Sequence, residues 1–189
     1  MDLKEKLLNY NCFNEQEEKD KELFLYALES FDNVFTRSNT ICHFTASSWL
    51  VNKKLDKVLM CFHKIFNSYS WLGGHADGEK DLKKVCLKEI TEESGLKNIK
   101  LLNDDIFSIE SLTVDGHIKN NEYVSSHLHL NITYLVQADE NEKLTIKEDE
   151  NTSLKWFTLK DALNASSEPW FVKNIYSKLN TKLKLLIKK

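Results

Sequence analysis

Glycine is scarce in this 189-residue chain and is concentrated in one place. Of five glycines, Gly73, Gly74, Gly78 and Gly95 fall within 23 residues. A chain that avoids glycine elsewhere uses it where the backbone must turn sharply or come close to another group. The segment Trp71 to Leu96, WLGGHADGEKDLKKVCLKEITEESGL, runs from a strand end through a glycine loop into a helix that stops at Gly95. A loop of this kind is expected to offer free backbone N–H groups and the helix dipole to an anion such as phosphate.

The helix adds a second constraint. Leu82, Val85, Cys86 and Ile90 recur at helical spacing and share one face. Glu89, Glu92 and Glu93 fall on the same side. Carboxylates three and four apart repel by about 0.2–0.5 kcal/mol per pair on an exposed helix, and by far more when partly buried. A divalent cation relieves that repulsion, and an all-oxygen donor set suits Mg²⁺, with Mn²⁺ as a substitute, better than zinc. The plain alternative for a bare ExxEE is three solvated glutamates near a helix end. The glycine loop one helix length upstream weighs against it.

This stretch resembles the Nudix box, G-x5-E-x7-R-E-U-x-E-E-x-G-U with U bulky and apolar. Gly74, Glu89, Ile90, Glu92, Glu93, Gly95 and Leu96 match at the required spacing. Lys80 stands where the pattern has Glu, and Lys88 where it has Arg. The GGHADG form of the box, with HFTAS (His43 to Ser47) and HLHLN (His127 to Asn131), is similar to one branch of that family over roughly residues 37 to 165. The resemblance implies metal-dependent hydrolysis of a diphosphate bond in a nucleoside-diphosphate-linked small molecule, by attack of metal-activated water on phosphorus. It implies Glu89, Glu92 and Glu93 as metal-binding and catalytic residues, with the Gly74 carbonyl as a further metal ligand. Glu150, in the acidic loop before Leu154 to Phe157, is the expected late acid, with Glu148 and Asp149 as rivals. Gly73, Gly74, His75, Gly78 and Lys88 are the expected phosphate- and substrate-binding residues. In the family the early Glu and the Arg support one another. Here both are lysine, and Glu79 or Asp81 is the expected partner for Lys88, whose ammonium lacks the planar fork of Arg.

Two other readings compete. A non-catalytic Nudix module would bind a nucleotide or sugar-nucleotide as a regulator, but would be expected to have lost box glutamates. An isomerase on the same fold would need a cysteine near the metal, and none of Cys12, Cys42, Cys61 and Cys86 is placed for that. His127 and His129 alternate along one strand and so share a face. They could bind a metal, but no third soft ligand stands at convincing spacing, so they are expected as polar core or pocket residues. Trp49, Phe66 and Trp71 could stack on a base, with core packing as the better assignment for each.

The rest of the chain bounds the class. Charged residues make up 29% and hydrophobic ones 41%, so a packed globular domain is expected. The net charge of −3 shows no basic excess of the kind nucleic-acid binding needs. No apolar run approaches the roughly 20 residues of a membrane span. No CxxC pair and no signal peptide are evident, which indicates a cytoplasmic protein with reduced thiols.

Helices are expected at 2–9, 14–31, 79–94, 159–164 and 167–187, the last capped by Ser166 or Ser167. Strands are expected at 41–51, 57–66, 105–114, 128–137 and 154–158, with a polar loop over 139–153. The fold class is α/β (α+β), a Nudix fold with a mixed β-sheet between helices and added helices at both ends. The expected organisation is an N-terminal helical cap (1–36), a Nudix domain (37–165) and a C-terminal helix on the same domain (166–189). Apolar faces on the terminal helices could support a homodimer.

Overall fold

The structure is a computed structural model that describes residues 1–64, 67–119, 121–146 and 151–188. Two helices open the chain, α1 (Leu3–Asn9) and α2 (Glu15–Ser30). Asp2 and Glu5 form a reciprocal capping box on α1, and Asn14 caps α2 by accepting from the Glu17 amide.

Next come β1 (Cys42–Asn52), β2 (Lys57–His63), β3 (Ser68–Ser70) and β4 (Leu72–His75), then α3 (Leu82–Ser94). After α3 the chain forms β5 (Lys100–Leu101), β6 (Ser108–Val114) and a small hairpin of β7 (His117–Lys119) with β8 (Glu122–Val124). It then returns through β9 (His127–Ala138), β10 (Asn151–Thr158) and α4 (Leu159–Ala165). The chain closes with α5 (Pro169–Phe171), a π-helical stretch Val172–Tyr176 and α6 (Ser177–Ile187).

The main sheet runs β10-β2-β1-β9-β5, with β3 on β2, β4 on β1 and β6 on β9. Its centre is the parallel pair β1–β9, in register from Cys42↔Leu128 to Asn52↔Ala138. Both strands are almost wholly buried, as central strands covered on both faces must be. Strand alternation sends successive side chains of β1 to opposite faces. Phe44, Ala46 and Leu50 join a core with Phe24 and Ala27 of α2 and with Leu82, Val85, Cys86 and Ile90 of α3. Trp49 and Val51 join a second core with Ala162 of α4, Ile175, Tyr176, Leu179 and Leu183. The box helix and the C-terminal helices therefore cover opposite faces of one mixed sheet.

The terminal helices are joined by buried charge. Glu17 of α2 is fully buried, and its Oε1 lies 3.2 Å from Lys178 Nζ and 2.8 Å from Lys182 Nζ. Lys178 also reaches Glu110 of β6 at 3.1 Å, while Ser108 donates to Glu17 at 2.8 Å.

Some boundaries differ from expectation for clear reasons. Helix α3 begins at Leu82 rather than residue 79, because Gly78, at φ 94°, breaks the helical path and Asp81 then caps it by accepting from the Lys83 amide. The C-terminal helical run opens at α5, whose N-cap is Glu168, with no side-chain cap bond. Ser166 instead ends α4. Strand β10 begins at Asn151, inside the stretch expected as loop, because it pairs with β2. Residues 147–150 of that stretch, and Phe66, lie outside the described residues.

Candidate active site

Strand β4 brings the glycines to the box helix. It pairs with β1 at Thr45↔His75, Ala46↔Gly74, Ser47↔Gly73 and Ser48↔Leu72. A side chain on Gly73 would sit 2.5 Å from the Ala46 carbonyl oxygen and 2.7 Å from Ser47 Cα, which is rigid backbone. A side chain on Gly74 would instead meet the Glu89 carboxylate, 2.5 Å from its carbon and 2.7–2.8 Å from its oxygens. The Gly73 amide donates to Glu93 Oε2 at 3.0 Å. Two residues of α3 are thus held against two consecutive glycines of β4.

The three glutamates grade from interior to surface. Glu93 is 3% exposed, the Glu89 side chain 13% and the Glu92 side chain 42%. Lys88 lies along them, 3.5 Å from Glu92 and 3.9 Å from Glu89. The expected partners Glu79 and Asp81 are engaged elsewhere. Glu79 accepts from the Asp81 amide at 2.8 Å, and Asp81 caps α3. Lys80 is exposed.

Four amides of the loop are engaged within the protein. Gly73 donates to Glu93, Ala76 to the Phe44 carbonyl, Gly78 to the Phe35 carbonyl and Glu79 to the Ala76 carbonyl. The Gly73 and Gly78 amides thus already have partners within the fold of the loop. Gly78 supplies the positive φ, and Asp77, at φ 47°, is held by a two-bond pair with Arg37 at 2.7 and 2.6 Å. That ion pair holds the Asp77 carboxyl below its ordinary value. Arg37, the only arginine, thus supports the loop that the motif's Glu and Arg would otherwise steady.

His75 departs furthest from expectation. It follows Gly74 on β4, so the two face opposite sides of the sheet. Gly74 faces Glu89, while His75 turns to the other side and meets His129, Nε2 to Nε2, at 3.2 Å. Burial holds both rings neutral, His75 at about 3 and His129 at about 2, and pushes His43 below the ordinary value.

Cys86 sits on the box helix, fully buried, with Sγ 3.5 Å from the Ser47 carbonyl. Burial pushes its thiol well above the ordinary range, so it is no nucleophile. All four cysteines are thiols. Glu148, Asp149 and Glu150 lie outside the described residues.

The NUDIX domain family model matches residues 43–179. This chain belongs to the Nudix family. Among solved structures, it is similar to a NUDIX-family hydrolase from Clostridium perfringens at 26% identity and TM-score 0.53, covering 76% of this chain and 97% of that one. An Ap4A hydrolase from C. elegans shares the fold at 14% identity and TM-score 0.56, over 77% of this chain and 97% of that one. A MutT protein from Methanosarcina mazei Go1 does so at 15% identity and TM-score 0.55, over 80% and 99%. No curated protein sequence matches it. As a Nudix hydrolase, the chain is an enzyme acting on phosphorus-containing anhydrides. Among the described residues no helix is long and apolar enough to cross a membrane.

Proposed function

We propose that this Nudix hydrolase cleaves a diphosphate bond in a nucleoside-diphosphate-linked small molecule, with Mg²⁺ bound at the box helix. The observation that carries this reading is the joint placement of Glu89 on Gly74 and Glu93 on Gly73. The donor set fits a hard cation. It is all oxygen, and a glycine is needed where Glu89 comes closest to β4.

Glu89, Glu92, Glu93 and the Gly74 carbonyl would hold the ion. When bound, it neutralises the diphosphate and lowers the pKa of a water. Glu93 keeps its orientation because the Gly73 amide fixes one oxygen. Glu89, mostly shielded and set against the strand, takes the proton of the attacking water, with Glu150 as the other carboxylate for that role. Water oxygen bonds to phosphorus, the bridging P–O bond breaks, and the leaving phosphate carries away the electron pair. Lys88 presents its charge at the exposed rim beside Glu92, where a polyanionic substrate would meet it.

The same reading places the enzyme in the cytoplasm, where four thiols persist. Exposed Leu185, Leu186 and Ile187 at the end of α6 offer apolar surface to a second copy, which size-exclusion chromatography with light scattering would detect.

The test is product release from nucleoside triphosphates, sugar-nucleotides, dinucleoside polyphosphates and NAD-type dinucleotides, with Mg²⁺, Mn²⁺ or EDTA. Turnover that requires metal and yields two phosphorylated products supports the proposal. Tight metal-dependent binding of a nucleotide with no cleavage would replace it with a regulatory binding module.

A further inference from the structure

The geometry points to a second cation site, for Zn²⁺, formed by His43, His75 and His129 on the sheet face opposite the box helix, with His127 at its open side. One ligand nitrogen from each of the first three histidines lies within 4.8 Å of the others. They come from three neighbouring strands, β1, β4 and β9. In the parallel pair His43 stands beside His129, and His75 stands opposite Thr45, two residues on from His43. His127 lies two residues before His129. All four therefore project from one face by strand alternation alone.

The hydrogen bonds around the cluster leave it short of donors. His43 bonds through Nδ1 to the Asn39 carbonyl at 3.0 Å, so that nitrogen is the donor and Nε2 carries the lone pair. This ring is 4% exposed, and its Nε2 has no hydrogen-bond partner among the described residues. The ring lies 4.9 Å from His129 and from His127, and 5.2 Å from His75, centre to centre. His127 repeats the arrangement, with Nδ1 on the Ser125 carbonyl at 2.8 Å. A carbonyl fixing one ring nitrogen while the other faces inward is the usual outer support of a metal-bound histidine.

The contacts at His129 sharpen the point. Its Nε2 lies 3.2 Å from Nε2 of His75 and 3.2 Å from Nε2 of His127. A neutral ring nitrogen either donates one hydrogen or accepts one, and the His127 Nε2 is already an acceptor. One hydrogen on His129 Nε2 cannot serve both contacts, and without it only His75 could donate, so one of the two close approaches is left without a full hydrogen bond. Zn–N bonds of about 2.0–2.1 Å place neighbouring tetrahedral ligands about 3.3–3.4 Å apart, close to these separations. Imidazole ligands and a position left for His127 or water suit Zn²⁺ better than Mg²⁺. Arg37 and Lys119 are nearby cations, and the two-bond pair of Arg37 with Asp77 offsets the first of these charges.

The ion would staple β4 to β1 and β9 directly behind Gly74. The site is independent of the diphosphate reading, since it uses neither the box glutamates nor substrate.

The full-length protein, stripped with EDTA and dialysed, would be titrated with Zn²⁺ and, separately, with Co²⁺. The expected result is one Zn²⁺ per chain, an intense Co²⁺ visible band of a four-coordinate site, and a Tm rise of about 5–10 °C at hundred-fold excess over Kd. Excess Mg²⁺ should displace none of it. His129→Gln and His75→Gln should abolish the band and the Tm rise, whereas Glu93→Gln should keep both. Weak, sub-stoichiometric Zn²⁺ with a pale octahedral Co²⁺ spectrum in the wild type would overturn the proposal without needing any variant to fold. A band that survives in both histidine variants, or that disappears in Glu93→Gln, would overturn it too.

Discussion

The carboxylate of Glu89 fills the space that a side chain on Gly74 would occupy. The neighbouring Gly73 is constrained differently, by the Ala46 carbonyl and Ser47 backbone. The two glycines should therefore fail in different ways. Gly74→Ala can fold by pushing Glu89 aside, so its Tm should stay within a few degrees of wild type. Its kcat should fall at least ten-fold, because the displaced carboxylate belongs to the proposed metal site. Gly73→Ala must move β1 and should lose stability by about 1–3 kcal/mol. Thermal melts and steady-state kinetics on both variants separate the two effects.

Lys178 is buried between Glu17 and Glu110, 3.2 and 3.1 Å away, while its neighbour Lys182 reaches Glu17 and the Tyr10 hydroxyl. Removing its charge leaves a carboxylate uncompensated in the interior. Lys178→Met should destabilise by about 3–5 kcal/mol in denaturant unfolding. A loss below about 1 kcal/mol would mean that the network contributes little to joining the terminal helices.

Burial raises the Glu17 pKa, but the ammonium groups of Lys178 and Lys182 outweigh it and hold the carboxyl below its ordinary value. A depressed folded pKa gives stability that is fully present above the unfolded value of about 4.3 and is lost as pH falls through the folded one. Wild type should therefore lose Tm steeply below about pH 4, and Glu17→Gln, less stable at neutral pH, should show a shallower acid limb. Parallel acid limbs would rule out Glu17 as a source of the slope.

Arg37 and Asp77 are partly exposed, so their pair contributes at most about 1 kcal/mol to stability. Its effect should be on the loop instead. Arg37→Ala should lower kcat/KM several-fold with little change in Tm, and Arg37→Lys should recover only part of it, since an ammonium cannot make both bonds. Unchanged kinetics in Arg37→Ala would show that the loop holds itself.

The box was legible because its evidence is local. Glycines, glutamates and the apolar face of α3 all lie within one strand–loop–helix unit, and helical spacing alone put Ile90 inward with Glu89 and Glu93 beside it. Long-range pairing was not legible. His127 and His129 were recognisable as a same-face pair, but their companions His43 and His75 arrive through the parallel register of β1 with β9 and the antiparallel register of β4 with β1. A histidine at the start of one strand and another at the end of a glycine strand were the available signal, and nothing local says that these strands are neighbours. Arg37 was equally hidden, since it lies 40 residues from Asp77. The engagement of the Ala76 and Gly78 amides was hidden for a related reason, because the carbonyls of Phe44 and Phe35 that accept from them lie on distant segments.

The most direct test of the proposed chemistry is Glu93→Gln, assayed under single-turnover conditions on the best diphosphate substrate with saturating Mg²⁺. Glutamine keeps the shape and can still accept from the Gly73 amide, so the fold and the Gly73 contact should persist. The account predicts a rate at least about 10³-fold below wild type with an unchanged melting curve. A folded Glu93→Gln enzyme that cleaves at the wild-type rate would contradict the assignment of the box helix as the catalytic metal site.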